Sequence, residues 1–425
     1  MIRRIVVLLA VVLATGIAAC GESLTTSNTC PKLCPSQDVT VHDTVITPVL
    51  AFDSTFIGYP DRGNENGLLL ATRGDTLETR GIIRFDSLPT YYPVPNDTAH
   101  PIQRIDSTTV KLVLDRTRVI VPSTVRFEVY DVDDSVATDT STAAVLAKFV
   151  PSRLLGTLSV LRDSLQDTVQ VPLDNAVMLS KVLANGRLRL GIRVDGTGPV
   201  SLLAKSTESG WTTTVRFKVS SDTTILPITI SAASLTPSAT PELQQALVDY
   251  MVVAKYNMPP RPANTMSVGG VPGRRAYLRF DLPRSITDST TIVRATLRLT
   301  PVPVAFGGST DTVTIYAHPV SASPLVTDLR HAAMIVGSSG VGAFDSLFVS
   351  PGDTASVRTF ELYGLVRVWG TENSLIAPPP RAVVLRSASE STWPTEIRFY
   401  GTNAAPALRP SMRISYVPRV TFGVP

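Results

Sequence analysis

The most regular feature of the chain is an alternation of apolar and polar residues in short segments. In residues 215–219, with the sequence Val-Arg-Phe-Lys-Val, the apolar residues alternate with Arg216 and Lys218. This period of two is typical of a β-strand with one buried face. Similar segments, rich in Val, Ile and Thr and separated by Asp, Ser, Pro and Gly, recur along the chain. The pattern predicts an all-β protein.

The alternating segments occur twice in the same order. The sequence Arg-Phe-Asp appears at residues 84–86 and again at 279–281, and four further pairs of segments match at similar offsets. The matched pairs are 109–112 with 296–299, 125–129 with 313–317, 200–202 with 397–399, and 215–219 with 412–416. Collinear matches of this kind indicate a tandem duplication.

Two copies of this length predict two tandem antiparallel β-sandwiches of the jelly-roll type, with one or two short helices. We assign residues 46–221 to the first sandwich, 222–240 to a linker, 241–418 to the second sandwich and 419–425 to a tail. In each copy, we expect the Phe of Arg-Phe-Asp to lie in the core. We expect its Arg and Asp to point outward or to brace the next turn.

Helical spacing is sparse. Leu362, Leu365, Val366 and Trp369 follow the i, i+3, i+4, i+7 spacing and predict one short helix that caps a sandwich. Residues 241–254 are ambiguous, because they have helical spacing while the repeat register places a strand at 249–256, equivalent to 50–57. We expect a helical turn that continues into a strand.

The first 19 residues predict a lipoprotein signal peptide. Arg3 and Arg4 precede an apolar run at residues 5–17, which is too short to span a bilayer. The run ends in Ile-Ala-Ala-Cys, which resembles the bacterial lipobox and makes Cys20 the expected lipidated residue. Two acyl chains would hold the protein on a membrane. The residue after Cys20 is Gly21, which favours the outer membrane in a Gram-negative cell, with the body facing the periplasm or the surface.

Residues 20–45 are rich in Ser, Thr and Pro and predict a flexible tether. Cys30 and Cys34 lie within it, and an oxidising compartment would allow a disulfide between them. A metal site here would need four ligands, and only His42 is near.

Composition narrows the function classes. Charged residues make up 17% of the chain, below the average of about 25%. The formal net charge of +4 is spread thinly, and part of it belongs to the predicted signal peptide. The basic patch of a nucleic-acid-binding protein is therefore missing from the sequence, and we expect no nucleic-acid partner.

The second copy resembles a known family of extracellular domains. The resemblance is in residues 266–270, 275–283, 292–299 and 409–416, the last with the sequence Arg-Pro-Ser-Met-Arg-Ile-Ser-Tyr. These segments are similar to the DNRLRE (disaggregatase-related) β-sandwich domain of secreted bacterial and archaeal proteins. The first copy keeps residues 84–86 but lacks the closing Arg-Pro. The resemblance implies a non-catalytic module similar to carbohydrate-binding modules, some of which accompany polysaccharide-degrading enzymes.

Catalytic signals are weak. The four histidines are scattered, and the sequence contains no nucleophile elbow, HExxH motif or phosphate-binding glycine loop. We therefore expect no enzymatic activity and no cofactor. The densest carboxylate cluster is Asp131, Asp133, Asp134 and Asp139. It could hold a structural Ca²⁺ or form an acidic solvated turn, since Ca²⁺ prefers several oxygen ligands from one loop.

Sugar binding needs an exposed aromatic ring that stacks on a pyranose. Aromatic residues in loops, outside the alternating strands, are the best candidates: Tyr91, Tyr92, Trp211 and Trp393. The sequence thus favours a lipid-anchored extracytoplasmic binding or adhesion protein with a polysaccharide ligand. The alternative is a structural or assembly component of the cell envelope that docks a protein partner.

Overall fold

The computed structural model describes most of the chain beyond the predicted tether. The described residues are 40–55, 63, 65–133, 142–234, 248–304, 312–320, 342–353, 356–369, 381–390 and 392–419. The predicted signal peptide, Cys20, Cys30 and Cys34 lie outside these residues.

The first half of the chain is built almost entirely from β-strands. They are β1 (His42–Ile46), β2 (Val49–Thr55), β3 (Gly67–Arg73), β4 (Leu77–Phe85), β5 (Tyr91–Tyr92), β6 (His100–Pro101), β7 (Ser107–Ile120), β8 (Thr124–Asp131), β9 (Leu154–Leu161), β10 (Thr168–Pro172), β11 (Leu188–Gly196), β12 (Val200–Lys205), β13 (Thr214–Lys218) and β14 (Ile228–Ser231).

The second half has the same character. Its strands are β15 (Asp249–Tyr256), β16 (Thr265–Gly269), β17 (Arg274–Arg279), β18 (Thr290–Leu299), β19 (Pro301–Val302), β20 (Val313–Pro319), β21 (Asp345–Val349), β22 (Arg358–Glu361), β23 (Ala382–Ser387), β24 (Glu396–Tyr400) and β25 (Ser411–Pro418).

The described residues form four short α-helices, rather than the one or two that the sequence predicts. They are α1 (Thr142–Leu146), α2 (Asn175–Leu183), α3 (Arg284–Thr287) and α4 (Tyr363–Trp369). Helix α4 is the predicted capping helix, and its Leu365, Val366 and Trp369 are buried as expected. Helix α2 was not predicted. It begins at Asp174, whose carboxylate accepts the N–H groups of the first turn.

The first half forms one large antiparallel sheet that closes around a hydrophobic core. Its strand order is β14-β13-β7-β12-β3-β4-β11-β8-β9, and β10 also pairs with β7. Strand β7 connects the two parts of this sheet. Its first residues pair with β10 and β13, and its later residues pair with β12. Val110, Leu112 and Leu114 of β7 point into the core. Strands such as β7 and β13 thus have the one buried face that their alternation predicts. Strands β3, β4 and β11 are instead buried on both faces along most of their length.

The second half consists of two antiparallel sheets. One has the order β1-β25-β18-β22, and the other β19-β24-β16-β17-β23-β20-β21 with β2 paired to β17. The end of the predicted tether 20–45 is therefore not flexible, because Asp43 of β1 accepts hydrogen bonds from the Arg413 and Ser415 side chains of β25. The facing sides of the two sheets bury Leu297, Phe360 and Phe399. Trp369 of α4 covers this core, with its ring 5.9 Å from that of Phe280. The prediction of an all-β sandwich architecture is confirmed.

The two halves exchange equivalent strands. Strand β15 pairs with β4 in the sheet of the first half, with Tyr250 opposite Ile82 and Tyr256 opposite Leu77. Strand β2, its equivalent in the duplicated sequence, pairs with β17 in the second half. The predicted strand at 249–256 is confirmed, whereas residues 241–247 lie outside the described residues. The sequence assigns β2 and β15 to their own copies, but the hydrogen bonds place each strand in the other half.

A separate group of apolar side chains, the interface cluster, joins the halves. Leu69, Ala71 and Leu77 of the first half pack there with Val271 and Trp393 of the second. The Arg118 guanidinium also donates to Ser389 Oγ and to the Thr312 carbonyl, each at 3.2 Å. The halves are therefore held together by packing, exchanged strands and hydrogen bonds.

The first Arg-Phe-Asp differs from its prediction. Phe85 is core, as expected, but Arg84 is 3% exposed and does not point into solvent. Residues 84 and 86 exchange backbone hydrogen bonds with Ala233. Arg84 Nη1 also donates to Ser234 Oγ at 3.2 Å. The motif braces the predicted linker 222–240, which contains strand β14. Burial follows because this chain segment covers the motif, a contact between distant residues that local alternation cannot show.

The second Arg-Phe-Asp fits its prediction. Phe280 is 2% exposed and belongs to the core, while Arg279 is half-buried and Asp281 is exposed. The two copies of one motif thus have different surroundings.

Candidate functional site

Trp211 is the most exposed of the three tryptophans, all of which are described. It lies in the loop 206–213 between β12 and β13, called here the Trp211 loop. Residues Thr207–Ser209 form a 3₁₀ turn that ends at Gly210, whose φ of 79° lies in the left-handed region that glycine adopts without strain. The chain reverses there, and the Trp211 side chain stays 48% exposed.

One face of the Trp211 ring is covered by a positively charged side chain. The Lys205 ammonium, at the end of β12, lies 4.1 Å from the ring centroid, in the geometry of a cation–π contact. This contact fixes the ring against the end of the sheet. The surface of the ring that could stack on a sugar is therefore on the opposite face.

Tyr91 and Tyr92 lie in a small hairpin formed by β5 and β6. Tyr91 is 59% exposed, whereas Tyr92 is half-buried and packs against the core of the first half. The Tyr92 ring meets His100 edge to face at 5.9 Å, and His100 pairs with Asp97 at 3.0 Å. Tyr92 thus anchors the hairpin, and Tyr91 is the ring that it presents.

The Trp211 loop and the hairpin that carries Tyr91 leave the sheet at the same end. Strands β4 and β12 are both antiparallel to β3, and Ala71 of β3 pairs with Thr79 of β4 and with Ser201 of β12. The C-terminal ends of β4 and β12, at Phe85 and Lys205, therefore lie at the same end of the sheet. The structure brings two of the four predicted aromatic residues to one end of the first half as exposed rings.

Trp393 requires a correction. It is 2% exposed and lies in the interface cluster between the halves. The sequence interpretation of Trp393 as an exposed ring is therefore wrong. Its neighbours Thr392 and Pro394 gave the segment the composition of a loop, but the loop is covered by residues of the first half.

The carboxylate cluster also differs from its prediction. Asp131 and Asp133 are described, whereas Asp134 and Asp139 lie outside the described residues. The Lys181 ammonium lies 3.0 Å from Asp131 and 3.1 Å from Asp133, and Arg187 lies 2.8 Å from Asp133. Both carboxylates are mostly buried, so this part of the turn is not solvated. A Ca²⁺ ion would have to displace these cations, and the two aspartates do not fit a Ca²⁺ site.

Adding Ca²⁺ is accordingly expected to leave the melting temperature unchanged. Lys181 and Arg187 already neutralise Asp131 and Asp133, and a cation at these carboxylates would meet two positive charges. The measurement is a thermal melt after EDTA treatment, with Ca²⁺ and, as a control, Mg²⁺. A rise with Ca²⁺ alone would contradict the expectation.

Two buried carboxylates that the sequence analysis missed support the Trp211 loop. Asp249, at the start of the exchanged strand β15, accepts hydrogen bonds from the Thr207 N–H and hydroxyl, both at 2.9 Å. Glu65, just before β3, accepts the N–H of Gly63 at 2.6 Å and that of Met251 at 3.3 Å. The Ser206 hydroxyl donates to the Glu65 carbonyl. Neither carboxylate stands out in the sequence, because each is placed by contacts with distant segments, Met251 for Glu65 and Thr207 for Asp249.

Burial perturbs both groups. Glu65 is 4% exposed and Asp249 is 2% exposed. Burial raises the pKa of Glu65 to about 7, and the nearby Asp249 charge acts in the same direction. Burial also raises the pKa of Asp249, although the Thr207 hydrogen bonds act against it. Glu65 therefore changes its charge near neutrality.

The described residues do not meet the requirements of a metal site or of a membrane-spanning helix. In the described ranges, no group of three or more His, Cys, Asp or Glu side chains is arranged to hold a metal ion. No helix within the described part of the chain is both long and apolar enough to span a bilayer.

Comparison with known proteins gives little. No protein family matches the chain, and no curated protein matches it. Among solved structures, the C-terminal domain of the Streptococcus pyogenes antigen I/II-family protein AspA is 10% identical, with 84% of this chain and 92% of that chain covered and a TM-score of 0.15. A structure of infectious bursal disease virus Gt strain is 11% identical, with coverages of 92% and 78% and a TM-score of 0.12. Likeness at these TM-scores carries no argument about fold or function.

Proposed function

We propose that the protein is a non-catalytic binding protein, lipid-anchored through Cys20 on the extracytoplasmic side of a membrane, whose ligand is an extracellular polysaccharide. The observation that supports this function is the Trp211 ring, which is half-exposed on a loop held at its start. The Asp249 carboxylate accepts the Thr207 N–H, and the Glu65 backbone carbonyl accepts the Ser206 hydroxyl. A flat ring on a rigid loop can stack on the apolar face of a sugar with little loss of conformational entropy.

The neighbours of Trp211 fit such a ligand. Ser209 and Thr212 flank Trp211 on the same loop with polar side chains, and Tyr91 provides a second exposed ring at the same end of the sheet. A polymer can contact several such positions at once, which strengthens weak individual contacts.

The buried carboxylates favour binding over catalysis. Glu65 and Asp249 both have raised pKa values, a feature that often marks catalytic acids. Both are almost fully buried, and their oxygens accept N–H groups of the chain itself. In the proposal, their role is therefore to hold the chain rather than to act on a substrate.

Trp211→Ala is expected to weaken polysaccharide binding about tenfold, corresponding to about 1.4 kcal/mol, which is the scale of one stacked ring with its buried area. A soluble form that starts at residue 21 would be tested by affinity electrophoresis against xylan, laminarin, galactomannan and pectin. Tyr91→Ala is expected to have a smaller effect.

Phe348→Ala is the matched control, because Phe348 is 68% exposed but lies on β21 in the second half. Equal affinities of the wild type and Trp211→Ala would contradict the proposed site. Binding of none of the polysaccharides would contradict the proposed ligand class.

The alternative function is a component of envelope assembly that docks a protein partner. The observation that favours it is a group of exposed apolar side chains on and around β21 and α4: Phe344, Phe348, Tyr363 and Val368. Exposed apolar groups of this kind often mark interaction surfaces. An identified envelope protein that cross-links to the wild type and not to Phe348→Ala, together with no polysaccharide binding, would support this function.

A further inference from the structure

The Trp211 loop is held from below by residues that no sequence motif connects to it. Asp249 binds Thr207 by two hydrogen bonds, and the Glu65 backbone carbonyl accepts the Ser206 hydroxyl. Glu65 lies before β3 and Asp249 at the start of β15, so two separate segments of the chain meet under the loop.

We propose that Glu65 and Asp249 are positioning residues for the Trp211 loop and that they make ligand binding at Trp211 weaker above neutral pH. The inference rests on the proposed function for its binding part. Its positioning part concerns the loop itself and can be measured without a ligand.

The physical cause is the cost of a second negative charge in a buried place. Well below its pKa of about 7, Glu65 is mostly protonated, and its carboxyl group then adds no negative charge near Asp249. When Glu65 ionises, two carboxylates share a site that is almost closed to water. We call the loop closed when it makes these contacts and open when it has moved away from Asp249 and the Glu65 carbonyl. In the open state, water would reach both carboxylates, so ionisation of Glu65 shifts the loop towards the open state.

The other charged groups around Glu65 and Asp249 do not remove this repulsion. Glu208, on the loop itself, adds to the negative potential at Asp249. The Lys205 ammonium is committed to the face of the Trp211 ring. Arg84 of β4, whose N–H donates to the Val248 carbonyl, has its guanidinium at Ser234.

The pH at which the loop opens follows from the pKa of Glu65, which is 4.5 in an exposed position and about 7 in the closed loop. A raised pKa of a carboxyl group means that the closed loop is favoured fully below about pH 4.5. This advantage is lost progressively as the pH rises to about 7, and it is absent above that. The pKa difference limits the change in the closed-to-open ratio to about 300-fold.

The first measurement is hydrogen exchange of the Thr207 and Met251 amides at pH 5 and pH 8. Both N–H groups donate to the buried carboxylates. Their protection, corrected for the intrinsic exchange rate, is expected to fall by at least about tenfold between the two pH values in the wild type. In Glu65→Gln, which keeps the side-chain size and cannot ionise, the protection is expected to change little.

The second measurement is the affinity for the polysaccharide of the panel above that the wild type binds best. Affinity is expected to be at least about threefold weaker at pH 8 than at pH 5 in the wild type, and equal at both in Glu65→Gln. Glu208→Gln is the matched control, since it removes an exposed carboxylate of the same loop, and it should keep the pH dependence. Asp249→Asn is a second variant in case Glu65→Gln does not fold, and it should reduce the pH dependence.

The outcomes separate the two proposals. Equal pH dependence of protection in the wild type and Glu65→Gln overturns the positioning role, whether or not a polysaccharide binds. Binding that is independent of pH overturns the regulation and leaves the proposed function standing. Absence of polysaccharide binding at both pH values overturns the proposed function and the binding part of the inference together.

Discussion

Glu390→Ala is expected to lower the free energy of unfolding by about 3–5 kcal/mol, because it removes one partner of a buried ion pair. The Arg275 and Glu390 side chains are 2% and 4% exposed, and their closest atoms, Nη2 and Oε1, are 2.6 Å apart. A second contact joins Arg275 Nε to Oε2 at 2.9 Å, and Arg386 Nε donates to Oε1 at 2.8 Å. Without the carboxylate, a buried guanidinium loses the charge that neutralises it.

Urea unfolding followed by circular dichroism would measure this loss. Glu361→Ala is the matched control, because its pair with Arg294 at 2.5 Å is largely exposed to water. Exposed pairs of this kind contribute about 0–1 kcal/mol. A loss for Glu390→Ala no larger than that for Glu361→Ala would show that the buried pair does not stabilise the fold.

Trp393→Ala is expected to destabilise the protein by a similar amount, about 3–5 kcal/mol, because it empties the centre of the interface cluster. Leu69 and Leu77 of one half and Val271 of the other pack in the same cluster. Loss of this packing should also uncouple the halves. Thermal unfolding by calorimetry is therefore expected to broaden or to split into two transitions.

Trp211→Ala serves as the control for this experiment. The Trp211 ring is half-exposed, and its loss removes one cation–π contact worth about 0.5–1 kcal/mol. Trp211→Ala should thus reduce binding and hardly affect stability, while Trp393→Ala should reduce stability strongly. A stable Trp393→Ala variant with a single sharp transition would contradict the role given to the interface cluster.

The fold could be predicted largely from local pattern. Alternation in segments such as 215–219 reports which side of a strand is buried, and β13 forms there with Val215 and Phe217 in the core. The spacing of Leu365, Val366 and Trp369 likewise predicted helix α4. These features depend on neighbours along the chain, and sequence contains that information directly. Helix α2 was missed because it buries only two side chains, Met178 and Val182, and so shows a weaker helical spacing of apolar residues than α4.

The candidate site could be predicted only in part. Trp211 was found because it follows Gly210 in a polar loop, which is a local signal. Trp393 has a similar local sequence but lies under the other half. Glu65 and Asp249 carried no signal at all, because a lone carboxylate becomes unusual only when the tertiary structure buries it.

The sequence by itself determined the strands, the duplication and the expected signal for lipid attachment at Cys20, since each is written in consecutive residues. The tertiary structure decided which strands share a sheet, and it placed β2 and β15 in opposite halves. It also decided which tryptophan is exposed and which carboxylates are buried. The physical reason is that pairing and burial depend on the free energy of contacts between distant segments. Two copies of one pattern offer nearly equivalent edges, so the pattern alone does not choose between them.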